Sequence, residues 1–235
     1  MIKRKKLGQH FLNSQSIAEK IIDNADITSD DIVYEIGTGL GILTPGLCKN
    51  AKKVISIDAD KELFQKAKDT FSKIANLELK HGDGFKGKNK FTIFVSNLPY
   101  SKSKDALEWL AITPFSHGVI MVQKEFADKI LAKSYKDRRS VTILANHTLE
   151  IQTISKVGKQ NFTPNPKVDS VILKIKKRKS INKNLVKVIN KIFSYRRKKI
   201  SNILKQFGLE TTSEKRLDDL STEEIVKIAE EICNK

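Results

Sequence analysis

Glu35-Ile-Gly37-Thr-Gly39-Leu-Gly41 is the stretch that decides the fold. A β-branched run, Asp31–Ile36, leads into it, and a helical pattern at Leu43–Asn50 follows. Glycines between a strand and a helix let the backbone turn sharply and let a ligand come close to the main chain. The spacing is GxGxG. A dinucleotide fingerprint requires a third glycine at position 42, where this chain has Ile42, so a nicotinamide oxidoreductase is disfavoured. No Gly-Lys-Ser/Thr follows, which excludes a P-loop.

Outward from the glycines the chain alternates short apolar runs with helical periodicity. Val54–Ile57, Leu77–Lys80, Phe91–Ser96 and Gly118–Gln123 read as strands. Lys61–Ile74, Ser103–Ala111 and Glu125–Ala132 read as helices, the first with apolar Leu63, Phe64, Ala67 and Phe71. Region 140–156 reads as a short helix passing into a strand at Leu149–Val157, and Val168–Lys176 as an edge or late strand. This βαβα order predicts an α/β fold, a mostly parallel Rossmann-like sheet with helices on both faces. Beyond it, Leu185, Val188 and Ile192, then Ile200, Ile203, Leu204 and Phe207, have helical spacing. Gly208 marks a helix stop, and Ser221 with Glu224 a capping box. The expected division is therefore a sheet domain at 1–178 and a small helical domain at 179–235.

Charge narrows the partner. Lys and Arg number 44 against 27 Asp and Glu, a net +17. The excess is clustered: residues 174–205 hold thirteen Lys or Arg and no acid, whereas 210–235 hold eight acids against four bases. Such a run points to a polyanionic partner, and neutral solvated surface is the alternative. Cys48 and Cys233 stand far apart, with no metal-ligand spacing, which argues against a disulfide framework or zinc site and fits a reducing cytoplasm. Basic residues Lys3–Lys6 lead into no apolar run, so no secretory signal is expected, and no stretch is long and apolar enough to span a membrane.

Three polar positions follow successive strands. Asp58 ends the second, 21 residues after Gly37, where a carboxylate can accept from ribose hydroxyls. Asp83, in Gly82-Asp83-Gly84, follows the third and can accept from an adenine amine. Each has a simpler reading, a helix cap or an Asx turn. Together with the glycine turn, at the strand ends where open α/β sheets bind ligands, they specify a nucleoside cofactor. The fourth strand ends in Asn97-Leu98-Pro99-Tyr100. An exocyclic adenine amine has two hydrogens and a lone pair delocalised into the ring. The Asn97 oxygen and a nearby carbonyl can accept both hydrogens and draw the nitrogen toward tetrahedral geometry. Pro99 stiffens the turn and favours an extended Leu98, and Tyr100 offers a π-face to a base.

These residues resemble the ribosomal RNA adenine dimethyltransferases, the family of the small-subunit dimethyladenosine transferases and the macrolide-resistance methylases. The resemblance spans nearly the whole chain. It runs through Leu7-Gly8-Gln9-His10-Phe11-Leu12, Glu35–Gly41, Asp58, Asp83 and residues 97–100. It continues through Val122-Gln123-Lys124-Glu125, Phe162-Thr-Pro164-Asn-Pro166-Lys167-Val168-Asp169-Ser170 and Ser194-Tyr-Arg196-Arg197-Lys198, which looks like the family's basic helix. It implies S-adenosylmethionine as cofactor, held by Gln9, His10, Leu12, Gly37, Gly39, Gly41, Asp58, Asp83 and Asn97. Catalysis would rest on Asn97, Leu98, Pro99 and Tyr100, with Phe162 stacking on the target base opposite Tyr100. RNA contacts would fall on Lys167, Arg196, Arg197, Lys198 and Lys199. No metal is implied.

The expected activity is dimethylation of two adjacent adenines in a hairpin near the 3′ end of small-subunit rRNA, by a cytoplasmic monomer acting on rRNA or a pre-ribosomal small-subunit particle. The alternatives are a large-subunit resistance-type methylase and a non-catalytic RNA-binding assembly factor. The chain departs from many relatives after Tyr100, with Ser101-Lys102-Ser103 in place of Asn-Ile-Ser, and its C-terminal part is short for the family.

Overall fold

Five apolar runs of the sequence become adjacent parallel strands. The computed structural model describes residues 9–87 and 89–235. The parallel strands are β2 (Ile32–Ile36), β3 (Lys53–Asp58), β4 (Leu77–His81), β5 (Ile93–Asn97) and β6 (His117–Gln123). With β7 (Leu149–Val157) and β9 (Ser170–Lys177) they form a sheet of order β4-β3-β2-β5-β6-β9-β7. The β2/β3, β3/β4, β2/β5 and β5/β6 ladders are parallel, and β9 is antiparallel to β6. The chain thus winds outward from β2 to β4 and then returns to β5 on β2's other side. Between β2 and β5 the strand order reverses, which opens a crevice at the strands' carboxyl ends.

Strand β9, expected as an edge or late strand, is the last strand in the chain but not an edge. It lies between β6 and β7. Only its second half alternates; Val171, Ile172 and Leu173 are buried in succession, as an interior strand requires. A two-stranded pair absent from the sequence reading joins β1 (Phe11–Leu12) to β8 (Phe162–Thr163), antiparallel, with Leu12 opposite Phe162.

The described residues group into two compact units. The first runs to Ala106 and includes Phe115–Lys124 and Ile151–Lys176. In its core, Val33, Val54, Ile93, Val95, Val119 and Met121 share one cluster with Ala18, Ile21 and Ile22 of α1 (Gln15–Asp23) and Leu47 of α2 (Thr44–Asn50). Helix α3 (Lys61–Thr70) starts on Asp60, whose Oδ1 accepts from the backbone N–H of Glu62 and Leu63 at 2.9 and 3.2 Å.

The second unit comprises Leu107–Pro114, Glu125–Glu150 and Lys177–Lys235, so it takes in more chain than a single division after residue 178 assigns to it. It contains the end of α4 (Ser103–Ile112), α5 (Lys124–Ile130), α6 (Ser140–Thr148), α7 (Lys183–Ser194), α8 (Ile200–Lys205) and α9 (Thr222–Cys233). Ile143, Leu144, Leu185, Ile189, Ile203 and Ile225 share its core. Gly208, at φ 69°, closes the turn after α8. The capping box forms as read: Ser221 Oγ accepts from Glu224 N–H at 3.2 Å, and Glu224 Oε2 accepts from Ser221 N–H at 2.7 Å.

Candidate functional site

The crevice at the switch point is a cavity of about 320 Å³ within the first unit. It receives the carboxyl ends of β2, β3 and β5, the turn after β4, and the segment before and through β1. Gln9, His10, Leu12, Gly37, Gly39, Asp58, Asp83 and Asn97–Tyr100 all line it. Positions spread over ninety residues of sequence thus converge as the motif reading expects. Leu7 and Gly8 of the opening motif, and basic Lys3–Lys6, lie outside the described residues.

The glycine loop is built on positive φ. Gly37 and Gly39 have φ of 84° and 58°, a region that side-chain-bearing residues enter at a cost. Gly39 donates its N–H to Asp58 Oδ2 at 2.8 Å, and Asp60 N–H donates to Oδ1 at 2.8 Å. Asp58 therefore ties the loop to the end of β3 while keeping lone pairs for a ligand. Burial raises its pKa, against the pull of these two N–H donors.

Gly41 has a different job from the one the resemblance implies. It is not on the cavity wall. A Cβ there would lie 2.3 Å from the Phe71 ring, so the missing side chain makes room for packing rather than for a cofactor.

Glu35 is a cavity residue to which the sequence pattern assigned no role. It is 1% exposed and lines the cavity. Its Oε2 accepts from Thr44 Oγ1 at 2.8 Å and Ser56 Oγ at 2.6 Å, and Ser56 stands opposite it in the β2/β3 register. Burial pushes the carboxyl up to about 7, with the two hydroxyl donors opposing. The signal was present in sequence: Glu35 and Ser56 are polar interruptions at matched places in two otherwise apolar runs.

Two observations bear on whether a nucleoside cofactor fits. Gln9 Oε1 is buried on the wall without a hydrogen-bond partner among the described residues, an acceptor left for a ligand. The Gly37–Gly39 turn presents bare backbone to the same space. Asp83, on the exposed rim, accepts from Phe85 N–H at 3.0 Å, so it is at once a turn-former and a cavity residue. The residues present suit the group.

At the end of β5, Leu98 N–H donates to Met121 O at 3.1 Å, which fixes the tetrapeptide against β6. Neither the Asn97 side-chain amide nor the Leu98 carbonyl has a hydrogen-bond partner among the described residues, and both residues line the cavity. Pro99 is extended, at φ −55° and ψ 129°. Tyr100 is half-buried, its hydroxyl 2.8 Å from Ser170 Oγ, and burial raises its pKa. His10 lies 5.5 Å from the Tyr100 ring centroid, and its Nδ1 donates to Pro164 O at 2.6 Å.

Phe162 requires a correction. It is fully buried in the core cluster with Leu12, and it is not on the cavity wall. The β1/β8 pairing turns its side chain inward, so it presents no face to a base opposite Tyr100. His10 occupies the place beside Tyr100 instead.

The basic stretch also differs from expectation. Arg196–Lys198 form a turn after α7 rather than a helix. Arg196 is paired with Asp218 at 3.2 Å and bonds the Lys136 carbonyl, and Lys199 is paired with Glu214. Arg197 and Lys198 are exposed, Lys198 Nζ lying 5.1 Å from the Tyr195 ring centroid. Lys167 is exposed on the first unit. Among the described residues no group of His, Cys, Asp and Glu is arranged to hold a metal, and no helix is long and apolar enough to cross a membrane.

Comparison with known proteins bears on what such a cavity does. A family model described as ribosomal RNA adenine dimethylase matches residues 2–233. The ribosomal RNA small subunit methyltransferase A of Thermotoga neapolitana is 34% identical over 236 residues, covering 96% of this chain and 90% of its own length. Its namesake from Malacoplasma penetrans is 37% identical over 213 residues, covering 86% and 78%. Among solved structures, a dimethyladenosine transferase from Plasmodium falciparum is similar with a TM-score of 0.80 and 30% identity, over 96% of this chain and 98% of that one. A 23S rRNA methyltransferase shares the fold, with a TM-score of 0.69 at 21% identity over 95% of this chain and 99% of that one.

Proposed function

Since the chain belongs to the ribosomal RNA adenine dimethylase family, we propose that its cavity binds S-adenosylmethionine and that it dimethylates two adjacent adenines in a hairpin near the 3′ end of small-subunit rRNA. The observation that carries this reading is the unpartnered pair at the end of β5. The Asn97 amide and the Leu98 carbonyl line the same cavity as Asp58 and the glycine turn. Two acceptors beside that crevice are what an exocyclic amine needs.

The cofactor, when bound, supplies an electrophilic methyl group on a sulfonium sulfur. The chain's residues do the rest by positioning. Asp58 offers its remaining lone pairs to ribose hydroxyls, Asp83 an acceptor to the adenine edge, and Gln9 Oε1 its unused lone pairs. The target adenine is flipped out of the RNA, which costs a few kcal/mol. Stacking on Tyr100 offsets about 1–3 kcal/mol of that. Asn97 Oδ1 and Leu98 O accept the two amine hydrogens and aim the nitrogen at the methyl. The amine's proton would become acidic only once the nitrogen is alkylated and would then leave to solvent, so no base is needed beforehand. Orientation carries much of the rate. A second transfer to the same nitrogen gives dimethyladenosine.

The exposed Arg197, Lys198 and Lys167 supply phosphate contacts, which position RNA without reading sequence. Selectivity then comes from RNA shape, best met in a partly assembled small-subunit particle engaged by a monomer in the cytoplasm. The test incubates enzyme and labelled cofactor separately with small-subunit particles, large-subunit RNA and poly(A), and identifies methylated nucleosides by mass spectrometry. Dimethyladenosine in the small-subunit particles alone is expected. Dimethyladenosine confined to large-subunit RNA would move the chain to the resistance-methylase branch, and label in none would favour an assembly factor.

A further inference from the structure

The cavity's charge is lopsided. Glu35, Asp58, Asp60 and Asp83 line it, against Lys102 as the one Lys or Arg on its wall among the described residues. A space so lined suits a cation. Glu35 lies deepest, 1% exposed. Both hydroxyls that serve it, from Thr44 and Ser56, go to Oε2, and Thr38 Oγ1 braces Ser56 Oγ at 2.6 Å. Oε1 takes no donor among the described residues, and Glu35 lines the cavity. Hydroxyl dipoles orient a carboxylate but bring no counter-charge, and a buried carboxylate without one favours its neutral form.

We propose, resting on the reading of this cavity as the S-adenosylmethionine pocket, that Glu35 is the buried counter-ion of the cofactor's cationic half and releases its proton to solvent when the cofactor binds. The half in question carries two positive groups, the sulfonium and the α-ammonium, and one or the other can meet Oε1. Free of ligand, the group stands at about 7, held up by burial. Asp58, facing it from β3, raises it further by like charge. Cys48, facing it from α2, is pushed up to about 12 by burial and by Glu35 itself, so the thiol stays neutral. A cation at Oε1 reverses the balance, because an opposite charge within reach favours the ionised form. Glu35 then couples occupancy to pH, and the glycine loop's buried wall changes charge with each cofactor exchange.

The coupling has a fixed sign. The cation binds the ionised form, so apparent affinity scales with the ionised fraction and strengthens as pH rises toward 7. Calorimetric titration of S-adenosylmethionine into the intact protein at pH 5.5 and pH 7.0 reads it, a window in which the ligand's own α-amino group stays charged. The expected dissociation constant is about fifteenfold weaker at pH 5.5, with about one proton released there, counted from buffers of different ionisation enthalpy. Glu35→Gln is expected to bind with no such dependence. S-adenosylhomocysteine, which keeps the ammonium and lacks the sulfonium charge, identifies the partner: the same slope assigns the ammonium, and a lost slope assigns the sulfonium. A wild-type constant that changes less than twofold, with no proton released, overturns the proposal. So does a slope that survives in Glu35→Gln, since Asp58 would then be the titrating group. If Glu35→Gln does not fold, the wild-type proton count decides alone. Absence of any cofactor binding at either pH would instead sink the reading of the pocket itself.

Discussion

Replacing Asp58 by Ala separates two roles that one carboxylate plays. In the free protein its oxygens take the N–H groups of Gly39 and Asp60, each at 2.8 Å, at a site 6% exposed. Alanine strands both donors. An unsatisfied buried donor costs about 1–3 kcal/mol, and partial relaxation of the glycine turn brings the pair to about 2–4 kcal/mol. For a chain of this size that lowers the melting temperature by about 4–16 °C. With ligand present the gap widens. Wild type at a hundredfold excess over its dissociation constant gains about 2.7 kcal/mol from binding. Loss of charged hydrogen bonds to ribose, about 1.5–3 kcal/mol, weakens affinity ten- to hundredfold and removes most of that gain. Thermal melts with and without S-adenosylmethionine read both terms. Asp58→Asn, which keeps one acceptor, is expected to fall between. A ligand-free Asp58→Ala melting within 1 °C of wild type would refute the anchoring role deduced from the two 2.8 Å bonds. An undiminished ligand-induced shift would refute the ribose role.

Asn97→Ala is expected to keep cofactor affinity within a few-fold and lose most single-turnover methylation, because the proposed contact of its amide is with the substrate amine; retained turnover would make it structural. Glu35 makes the ligand-free protein less stable as pH rises. Its folded pKa of about 7 lies above the ordinary value of 4.5, so its contribution is fully present below pH 4.5 and about 3 kcal/mol is lost on passing through 7. Glu35→Gln is accordingly expected to flatten the denaturant midpoint between pH 5 and 8, and a midpoint that still falls as in wild type would be contrary. Arg196→Ala is expected to lower the denaturation midpoint, since it breaks the pair with Asp218 and the bond to the Lys136 carbonyl. Arg197→Ala is expected to leave that midpoint alone and to flatten the salt dependence of RNA binding by about 0.7–0.9 per lost contact; filter binding over a salt series would expose an unchanged slope.

The parts of the fold that were legible in sequence are those in which local pattern and tertiary burial agree. Strands β2, β3, β5 and β6 are buried runs in a parallel sheet, and such runs announce themselves by composition. Helix α1 carries Ile17, Ala18, Ile21 and Ile22 at helical spacing but precedes the first strand of the alternating pattern, so the βαβα rhythm does not announce it. The β1/β8 pair was not legible in the same way. Two-residue strands 150 positions apart carry no periodicity, and only pairing tells which way Phe162 points. Gly37, Gly39, Asp58, Asp83 and Asn97–Tyr100 were legible because each follows or ends a recognisable strand, whereas Gln9, His10 and Leu12 came only from the family resemblance. Glu35 was visible but unassigned, since sequence shows a polar residue without showing that it is buried or that Ser56 faces it. The basic run misled in part for the converse reason. Counting charge over 174–205 omits Asp218 and Glu214, which come from the acidic segment beyond it and occupy Arg196 and Lys199.

Charge segregation explains how one chain handles a cation and a polyanion. The net charge of +17 draws RNA from a distance, yet among the described residues the cavity wall carries four carboxylates against one ammonium. Phosphates entering that space would meet like charge in a desolvated setting, where repulsion is strong. At the rim the situation differs: Lys102 is exposed there and only loosely committed to Asp105, 2.9 Å away in a solvated pair worth little. A nucleotide can therefore leave its phosphates outside, screened within about 8 Å by salt, and send in only its neutral base. The acid-lined pocket thus reinforces what Asn97 and Leu98 require. In the proposed function that pocket would take the cationic cofactor, repel the RNA backbone, and admit the one part of the substrate whose amine those two acceptors can orient.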